Sequence, residues 1–141
     1  MQRIIVTGAT SMIGVALIEE CIKHGTEVYA VVREGSKKRS RLPESSLIKF
    51  ADCSLEHLDR LPEMISQECD TFYHIAWGNT GENRNSSTEL QSRNIGYTLA
   101  AVKAAAALGC KRFIGAGSQA EYGLLDLDRI SPESAANPTT P

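Results

Sequence analysis

The stretch TGATSMIG, residues 7–14, decides the fold of this chain of 141 residues. It follows the apolar, β-branched run Arg3–Thr7, which predicts a buried strand, and it leads into residues 12–24, whose apolar side chains recur at helical spacing. Gly8 permits a tight turn out of the strand, and a helix N-terminus offers free N–H groups to an anion. These features predict a pyrophosphate-binding loop, with a glycine turn that only joins strand to helix as the alternative.

Further strands and helices alternate along the chain. Helices are predicted from Leu55, where Ser54 is the cap and Pro62 kinks or ends the helix, and over residues 88–108. Strands that are apolar throughout and separated by helices predict a parallel sheet covered on both faces, an open doubly wound α/β architecture. The predicted strands after the first are Glu27–Val32, 47–50, 71–76 and Arg112–Gly115.

Composition excludes several classes of function. The net charge of −2 gives no general attraction to nucleic acid or to anionic membranes. The four cysteines are widely spaced, without a CxxC pair or a cluster with the three histidines, so we expect no metal site. The N-terminal residues resemble neither a signal peptide nor a membrane span. We therefore expect a cytoplasmic protein that binds neither nucleic acid nor membranes.

Basic residues follow the second predicted strand. Arg33 comes directly after it, and Lys37, Lys38, Arg39 and Arg41 lie close by, whereas a carboxylate at this point is typical of NAD-selective sites. A two-pronged contact from Arg33 to a ribose 2′-phosphate would contribute about 1.5–3 kcal/mol. The sequence therefore predicts NADP as the cofactor, with NAD less favoured and a solvated basic loop as the alternative.

Several segments resemble the extended short-chain dehydrogenase/reductases, the family of NAD(P)-dependent epimerases and dehydratases that act on nucleotide-linked sugars. TGATSMIG resembles the family's TGATGFIG, although Ser11 replaces the middle glycine. FYHIA, residues 72–76, resembles its hydrophobic-His-Leu-Ala motif, and NIGYT, residues 94–98, resembles its Asn-x-x-x-Thr segment. KRFI followed by GSQAEYG resembles KRFI…SSxxVYG. The match over residues 3–123 implies a Rossmann-type fold.

The resemblance implies a set of cofactor contacts. Asp52, which with Cys53 follows the third strand, would hold the adenine amino group. Residues 76–78 would line the nicotinamide side, and Asn94 would hold backbone near the active site. The alternatives are an ordinary loop aspartate at Asp52, a core or subunit-contact aromatic at Trp77, and a helix-surface residue at Asn94. The predicted cofactor-binding residues are Gly8, Thr10, Ser11, Met12, Ile13, Gly14, Arg33, Asp52, Cys53, Ala76, Trp77, Gly78 and Asn94.

Catalysis in the resembled family relies on a serine or threonine, a tyrosine and a lysine. Ser118 matches the family serine just after the fifth strand, where a turn serine is the alternative. The tyrosine and lysine form a YxxxK motif in the family, but none of the four tyrosines here has lysine four residues later. The resemblance therefore implies a catalytic Ser118 without the catalytic tyrosine and lysine.

The sequence predicts a nucleotide-binding domain over residues 1–123 and a loop or tail over residues 124–141 that leads to a missing catalytic helix. We expect the N-terminal, NADP-binding part of a sugar-nucleotide epimerase, dehydratase or 4-keto reductase, inactive as the isolated chain. Its expected partners are a nucleotide sugar and a second copy in a homodimer. The alternatives are a non-catalytic NADP-binding regulatory module and a complete βα module that dimerises to cover its open sheet edge.

Overall fold

The computed structural model describes residues 2–81, 87–124 and 129–139. The described residues form one five-stranded parallel sheet with helices on both faces. The strands are β1 (Arg3–Thr7), β2 (Glu27–Val32), β3 (Ile48–Asp52), β4 (Thr71–His74) and β5 (Arg112–Gly115). The helices are α1 (Met12–Lys23), α2 (Leu61–Met64) and α3 (Thr88–Ala107). Three 3₁₀ turns cover Lys37–Arg41, Leu55–Arg60 and Gln119–Tyr122.

The strand order is β3-β2-β1-β4-β5, which confirms the predicted Rossmann-type sheet. The chain winds outward from β1 to β3 and then crosses back to place β4 on the other side of β1. Because the connections after β1 and β4 leave in opposite directions, a crevice opens between the carboxyl ends of these two strands. This crevice is where a doubly wound sheet places its ligand.

The core has two layers, one on each face of the sheet. On one face, Ile5 and Phe72 pack with α2, α3 and the 3₁₀ turn after β3. The small side chains Ala101, Ala104 and Ala105 let α3 approach this face closely. On the other face, the apolar side chains of β1 and β2 pack against α1. The strands β1 and β2 are therefore buried on both faces of the sheet, as their continuous apolar runs predict.

The helix predicted from Leu55 is wrong in type. The chain forms a 3₁₀ turn over Leu55–Arg60, because His57 has non-helical dihedral angles, and Ser54 precedes it without a side-chain cap. Pro62 does not end a helix but lies in the first turn of α2, where a proline costs no hydrogen bond. The basic residues 37–41 form another 3₁₀ turn, which is capped by Ser36.

The edge of the sheet formed by β5 is less covered than predicted. Most of β5 is exposed, including Ile114 at 44%. The described residues 129–139 contain neither helix nor strand, and the N–H of Asn137 donates to the Glu121 carbonyl oxygen at 2.9 Å. Residues 125–128 and 140–141 of the predicted tail lie outside the described residues. Within the described ranges, no helix has both the length and the apolar character needed to cross a membrane.

Candidate functional site

A cavity of about 530 Å³ opens at the carboxyl ends of β1, β2 and β4. The turn after β1 forms its floor, the loop after β2 forms one wall, and α3 with the loop after β4 forms the other. Eight of the predicted site residues line this cavity: Gly8, Thr10, Ser11, Arg33, Cys53, Ala76, Trp77 and Gly78. Met12, Ile13, Gly14, Asp52, Asn94 and Ser118 are placed elsewhere, and each is described below.

Two glycines let the floor of the cavity form. Gly8 has φ +68°, and a Cβ there would come within 2.8 Å of the backbone nitrogen of Ala76. Gly14, in the first turn of α1, is buried against the Gly8 turn, and a Cβ on it would overlap the Gly8 carbonyl oxygen. The first position therefore requires both left-handed backbone and close approach, and the second requires close packing of helix against turn.

Ser11, where the resembled family has glycine, is the N-cap of α1. Its Oγ accepts from the backbone N–H of Gly14 at 3.0 Å, and its own N–H donates to the Gly8 carbonyl oxygen at 2.9 Å. Met12 and Ile13 follow with exposed side chains, so only their backbone can serve the cavity. Their first-turn N–H groups have no acceptor among the described residues and lie at the positive end of the helix dipole.

A buried polar contact joins β1 to β4 beneath the cavity. Thr7 Oγ1 accepts from the backbone N–H of Ala76 at 3.4 Å, and it is hydrogen-bonded to Nδ1 of His74 at 2.9 Å, with the imidazole tautomer setting which atom donates. Burial lowers the pKa of His74, which keeps the ring neutral near pH 7. His74 is buried in the core, and the sequence did not predict its partnership with Thr7.

The wall after β2 is basic. Arg33, Lys38 and Arg41 line it, whereas Glu56 on the opposite side supplies the one carboxylate found in the described lining. Because like-signed charges in a concave site add, this wall favours phosphate groups over neutral ligands. Arg39 does not share the role, since it pairs with Asp52.

Asp52 and Cys53, neighbours after β3, are placed differently relative to the cavity. The Asp52 carboxylate is paired with Arg39, whose guanidinium lies 4.9 Å from the centre of the Phe50 ring, so Asp52 does not line the cavity. Cys53 does line it, with Sγ donating to the His57 carbonyl oxygen at 3.1 Å. Burial raises the pKa of the Cys53 thiol, which leaves it as a packing group and not a nucleophile.

Two buried amides on α3 hold the loop after β4. Asn94 Oδ1 accepts from the N–H of Gly78 at 2.7 Å, and its Nδ2 donates to the Gly78 carbonyl oxygen at 3.2 Å. One turn earlier, Gln91 Oε1 accepts from the indole Nε1–H of Trp77 at 2.8 Å, and Nε2 donates to the Asn79 carbonyl oxygen at 3.0 Å. Asn94 therefore contacts the backbone of the loop after β4. Gln91 was not predicted, although the spacing of three residues places it on the same helix face.

Ser118 lies beyond β5, as the sequence predicts, but its oxygen has a local role. It is the N-cap of the 3₁₀ turn Gln119–Tyr122, and Oγ accepts from the N–H of Ala120 at 3.2 Å. The side chain is exposed, and its hydroxyl proton is available to another acceptor. A tyrosine that does line the cavity is Tyr97 on α3, whose hydroxyl donates to Glu56 Oε1 at 3.2 Å.

Comparison with known proteins adds three findings. The model of the NAD dependent epimerase/dehydratase family matches residues 4–141. No curated protein matches the chain. Among solved structures, the enzyme WbmG of Bordetella bronchiseptica in complex with NAD is 23% identical with a TM-score of 0.79, over 98% of this chain and 44% of that chain.

Two further structures show the same relation. The UDP-N-acetylglucosamine 4-epimerase of Methanobrevibacter ruminantium in complex with UDP-N-acetylmuramic acid has a TM-score of 0.80 and 18% identity, over 99% of this chain and 45% of that one. The UDP-glucose 4-epimerase of Thermus thermophilus in complex with NAD has a TM-score of 0.81 and 21% identity, over 99% and 45%. At these identities the similarity shows a shared fold, and the chain spans less than half the length of these structures.

Proposed function

The chain belongs to the NAD dependent epimerase/dehydratase family, and on that premise we propose that it is the dinucleotide-binding part of a sugar-nucleotide epimerase, dehydratase or 4-keto reductase. The observation that carries the proposal is the cavity at the ends of β1, β2 and β4, floored by Gly8 and by the Ser11-capped helix. A cradle that any Cβ at Gly8 or Gly14 would fill fits a pyrophosphate, which needs close approach of backbone N–H groups.

We propose NADP, in preference to NAD, as the dinucleotide. Arg33, Lys38 and Arg41 stand on the wall after β2, where the adenine ribose of a bound dinucleotide lies in doubly wound folds. A 2′-phosphate carries close to two negative charges and can accept a two-pronged contact from Arg33. WbmG and the Thermus thermophilus enzyme are complexes with NAD, so this preference would distinguish the present chain from them.

The main role of this chain's residues would be to bind the dinucleotide and to orient the reacting groups. When bound, the nicotinamide supplies the hydride acceptor or donor for a sugar carbon. Ser118 would donate its hydroxyl proton to the reacting oxygen, a contact compatible with its capping of the turn after β5. Since no tyrosine precedes lysine by four positions, we infer that the 141-residue chain binds the dinucleotide but does not by itself turn over a nucleotide sugar.

We also propose that the chain pairs with a second copy through α3. Ile95, Leu99 and Val102 recur at helical spacing on this helix and are 65%, 58% and 43% exposed. An apolar row of this kind on one helix face favours packing against another helix. Sedimentation of the purified chain would test the pairing, and replacing Leu99 with glutamate should shift a dimer to monomer.

Calorimetric titration of the purified chain with NADP⁺ and NAD⁺ at equal ionic strength tests the cofactor proposal. We expect NADP⁺ to bind roughly 10–150-fold more tightly, from one or more charge-assisted hydrogen bonds. Arg33→Ala should remove most of that preference, whereas Arg112→Ala, an exposed arginine at the opposite end of the sheet, should leave it intact. Tighter binding of NAD⁺ would contradict the role of Arg33, and binding of neither dinucleotide would contradict the proposed function.

The regulatory alternative, a module that binds NADP without chemistry, shares the same cavity. The observation that favours this alternative is that no tyrosine of this sequence forms a YxxxK motif. Its test follows nicotinamide absorbance while a 4-keto nucleotide sugar is mixed with NADPH and the chain. Hydride transfer would exclude the regulatory module, and it would also show that the chain supplies its own proton donor.

A further inference from the structure

Trp77 is an aromatic side chain left half exposed in a ligand cavity. It is the single tryptophan of the chain, follows β4 by three residues and lines the cavity, with 52% of its surface exposed. Its indole N–H is not free, because it donates to Gln91 Oε1 at 2.8 Å. One edge of the ring is therefore fixed while much of its apolar surface stays open, a combination found where a ring packs against a ligand.

Gln91 can hold the indole in only one way. Its side chain is buried, Oε1 accepts from both Trp77 and the Asn94 amide (3.3 Å), and Nε2 donates to the Asn79 carbonyl oxygen. Turning the amide over would set donor against donor at Trp77 and acceptor against acceptor at Asn79. The orientation of Gln91 is thus determined by three partners, and that orientation determines where the indole edge lies.

The loop that carries Trp77 is held on the C-terminal side of the ring. Gly78 is bonded through both backbone groups to Asn94, and Asn79, at φ +59°, donates from Nδ2 to the Leu90 carbonyl oxygen at 3.1 Å. With the backbone of the loop fixed, the remaining freedom of Trp77 is rotation of its side chain. Gln91 removes that freedom.

We propose that Gln91 is a positioning residue that presents the Trp77 indole to the nicotinamide ring. This inference rests on the proposed function, because it assumes that a dinucleotide occupies the cavity. With the 2′-phosphate at the basic wall after β2, the chain of phosphates crosses the Gly8 turn and the other end reaches β4, where Trp77 lies. The oxidised nicotinamide is a planar cation, and an indole face is the best aromatic partner for a cation.

The test compares two ligands that differ only in the nicotinamide. Calorimetry would measure the Kd of NADP⁺ and of 2′-phospho-ADP-ribose for the wild-type chain, Gln91→Met, Trp77→Phe and the double variant. Gln91→Met keeps the side-chain length but removes acceptor and donor, and Trp77→Phe removes the N–H on which Gln91 acts. Ser92→Ala is the matched control, since Ser92 is exposed on the same helix and donates to its own turn at Glu89.

We expect Gln91→Met to weaken NADP⁺ binding roughly threefold to tenfold, the range of one aromatic contact. Binding of 2′-phospho-ADP-ribose should not change, and Gln91→Met should have no further effect in the Trp77→Phe background. The fluorescence anisotropy of Trp77 should fall in Gln91→Met and stay unchanged in Ser92→Ala. Trp77→Ala, an exposed truncation, gives an independent arm: it should weaken NADP⁺ and spare 2′-phospho-ADP-ribose.

Equal weakening of both ligands, or an effect of Gln91→Met that persists with Trp77→Phe, would overturn the inference while leaving the proposed function standing. Unchanged NADP⁺ affinity in Trp77→Ala would overturn it as well. A wild-type chain that binds neither ligand would overturn the proposed function and the inference with it. The outcomes therefore separate an error about Trp77 from an error about the cavity.

Discussion

Thr7 at the end of β1 and His74 at the end of β4 form a buried hydrogen bond, with 2.9 Å between Thr7 Oγ1 and Nδ1 of His74. These two residues are register partners in the sheet, at the point where the chain reverses its winding. The same Thr7 oxygen accepts from Ala76, which lines the cavity. The contact therefore fixes the relative position of the two strand ends between which a dinucleotide would bind.

The His74 contact predicts a pH dependence of stability. Burial holds the pKa of His74 below its ordinary value of 6.5, so the unfolded chain takes up this proton first as the pH falls. The free energy of unfolding should therefore decrease below about pH 6.5, by at most about 1.4 kcal/mol per pH unit, until the folded-state pKa is reached. His74→Asn offers an acceptor to Thr7 without titrating. Urea unfolding of both proteins should give curves that diverge on acidification, and parallel curves would contradict a neutral buried His74.

Gly8 and Gly25 share a left-handed backbone conformation, but only Gly8 lies close to other backbone atoms, so substitutions at the two positions distinguish backbone strain from steric overlap. Gly8 and Gly25 have φ of +68° and +72°, but a Cβ at Gly25 meets nothing within 4 Å, whereas at Gly8 it meets Ala76. Gly25→Ala should therefore cost about 1–2 kcal/mol, the left-handed penalty alone. Gly8→Ala should cost clearly more and should abolish dinucleotide binding, because the loop after β4 must move away. Thermal unfolding and calorimetry measure the two effects, and equal losses of stability would show that the close approach is not needed.

The sequence predicted the sheet well because its signals are local. Arg3–Thr7, Glu27–Val32 and Arg112–Gly115 are strands with the predicted bounds, since each is a short apolar run closed by a glycine or a charged residue. The 3₁₀ turn over Leu55–Arg60 was taken for an α-helix, because propensity does not reveal the bend at His57. A single sequence does not predict such a kink, because the kink depends on how the turn packs against α3.

The contacts missed at the site are non-local. Gln91 and Trp77 are 14 residues apart, and Thr7 and His74 are 67 apart, so their pairing depends on a crossover that the sequence implies but does not measure. The adenine contact of Asp52 was implied by the family resemblance, and its pairing with Arg39 on the neighbouring turn was not predicted. Position along the chain thus predicted which strand end a residue follows, and not which partner its side chain meets.

An ion cluster at the opposite end of the sheet predicts an acid-sensitive contribution to stability. Glu27 is buried and bonded to Lys49 and Arg3, each at 3.0 Å, and Lys49 followed by Arg3 holds the pKa of Glu27 below 4.5. Glu27→Gln should lower the free energy of unfolding by about 1–2 kcal/mol at neutral pH, the low end for hydrogen bonds to charged groups because both partners are partly solvated.

The pH range of the Glu27 contribution follows from the lowered pKa of its carboxyl group. The contribution is complete above the unfolded pKa and is lost as the pH falls through the lower folded pKa, so wild type and Glu27→Gln should converge below pH 4.5. Glu63→Gln, which breaks an exposed pair with Arg60, is the control and should change little. Urea unfolding across this pH range measures the difference, and curves that stay apart in acid would mean that Glu27 acts through packing and not through charge.

The last prediction concerns Ser11, the departure from the family's glycine. Because Ser11 Oγ accepts from the Gly14 N–H, Ser11→Ala should lower the free energy of unfolding by about 0.5–2 kcal/mol, whereas Ser11→Gly should cost only a few tenths. Both variants keep the first-turn N–H groups of α1, so both should still bind the dinucleotide. Chemical unfolding measures the stability of the two variants, and calorimetry measures their affinity for the dinucleotide. If Ser11→Gly lost dinucleotide affinity as well as Ser11→Ala, the hydroxyl would be a ligand contact and not only a helix cap.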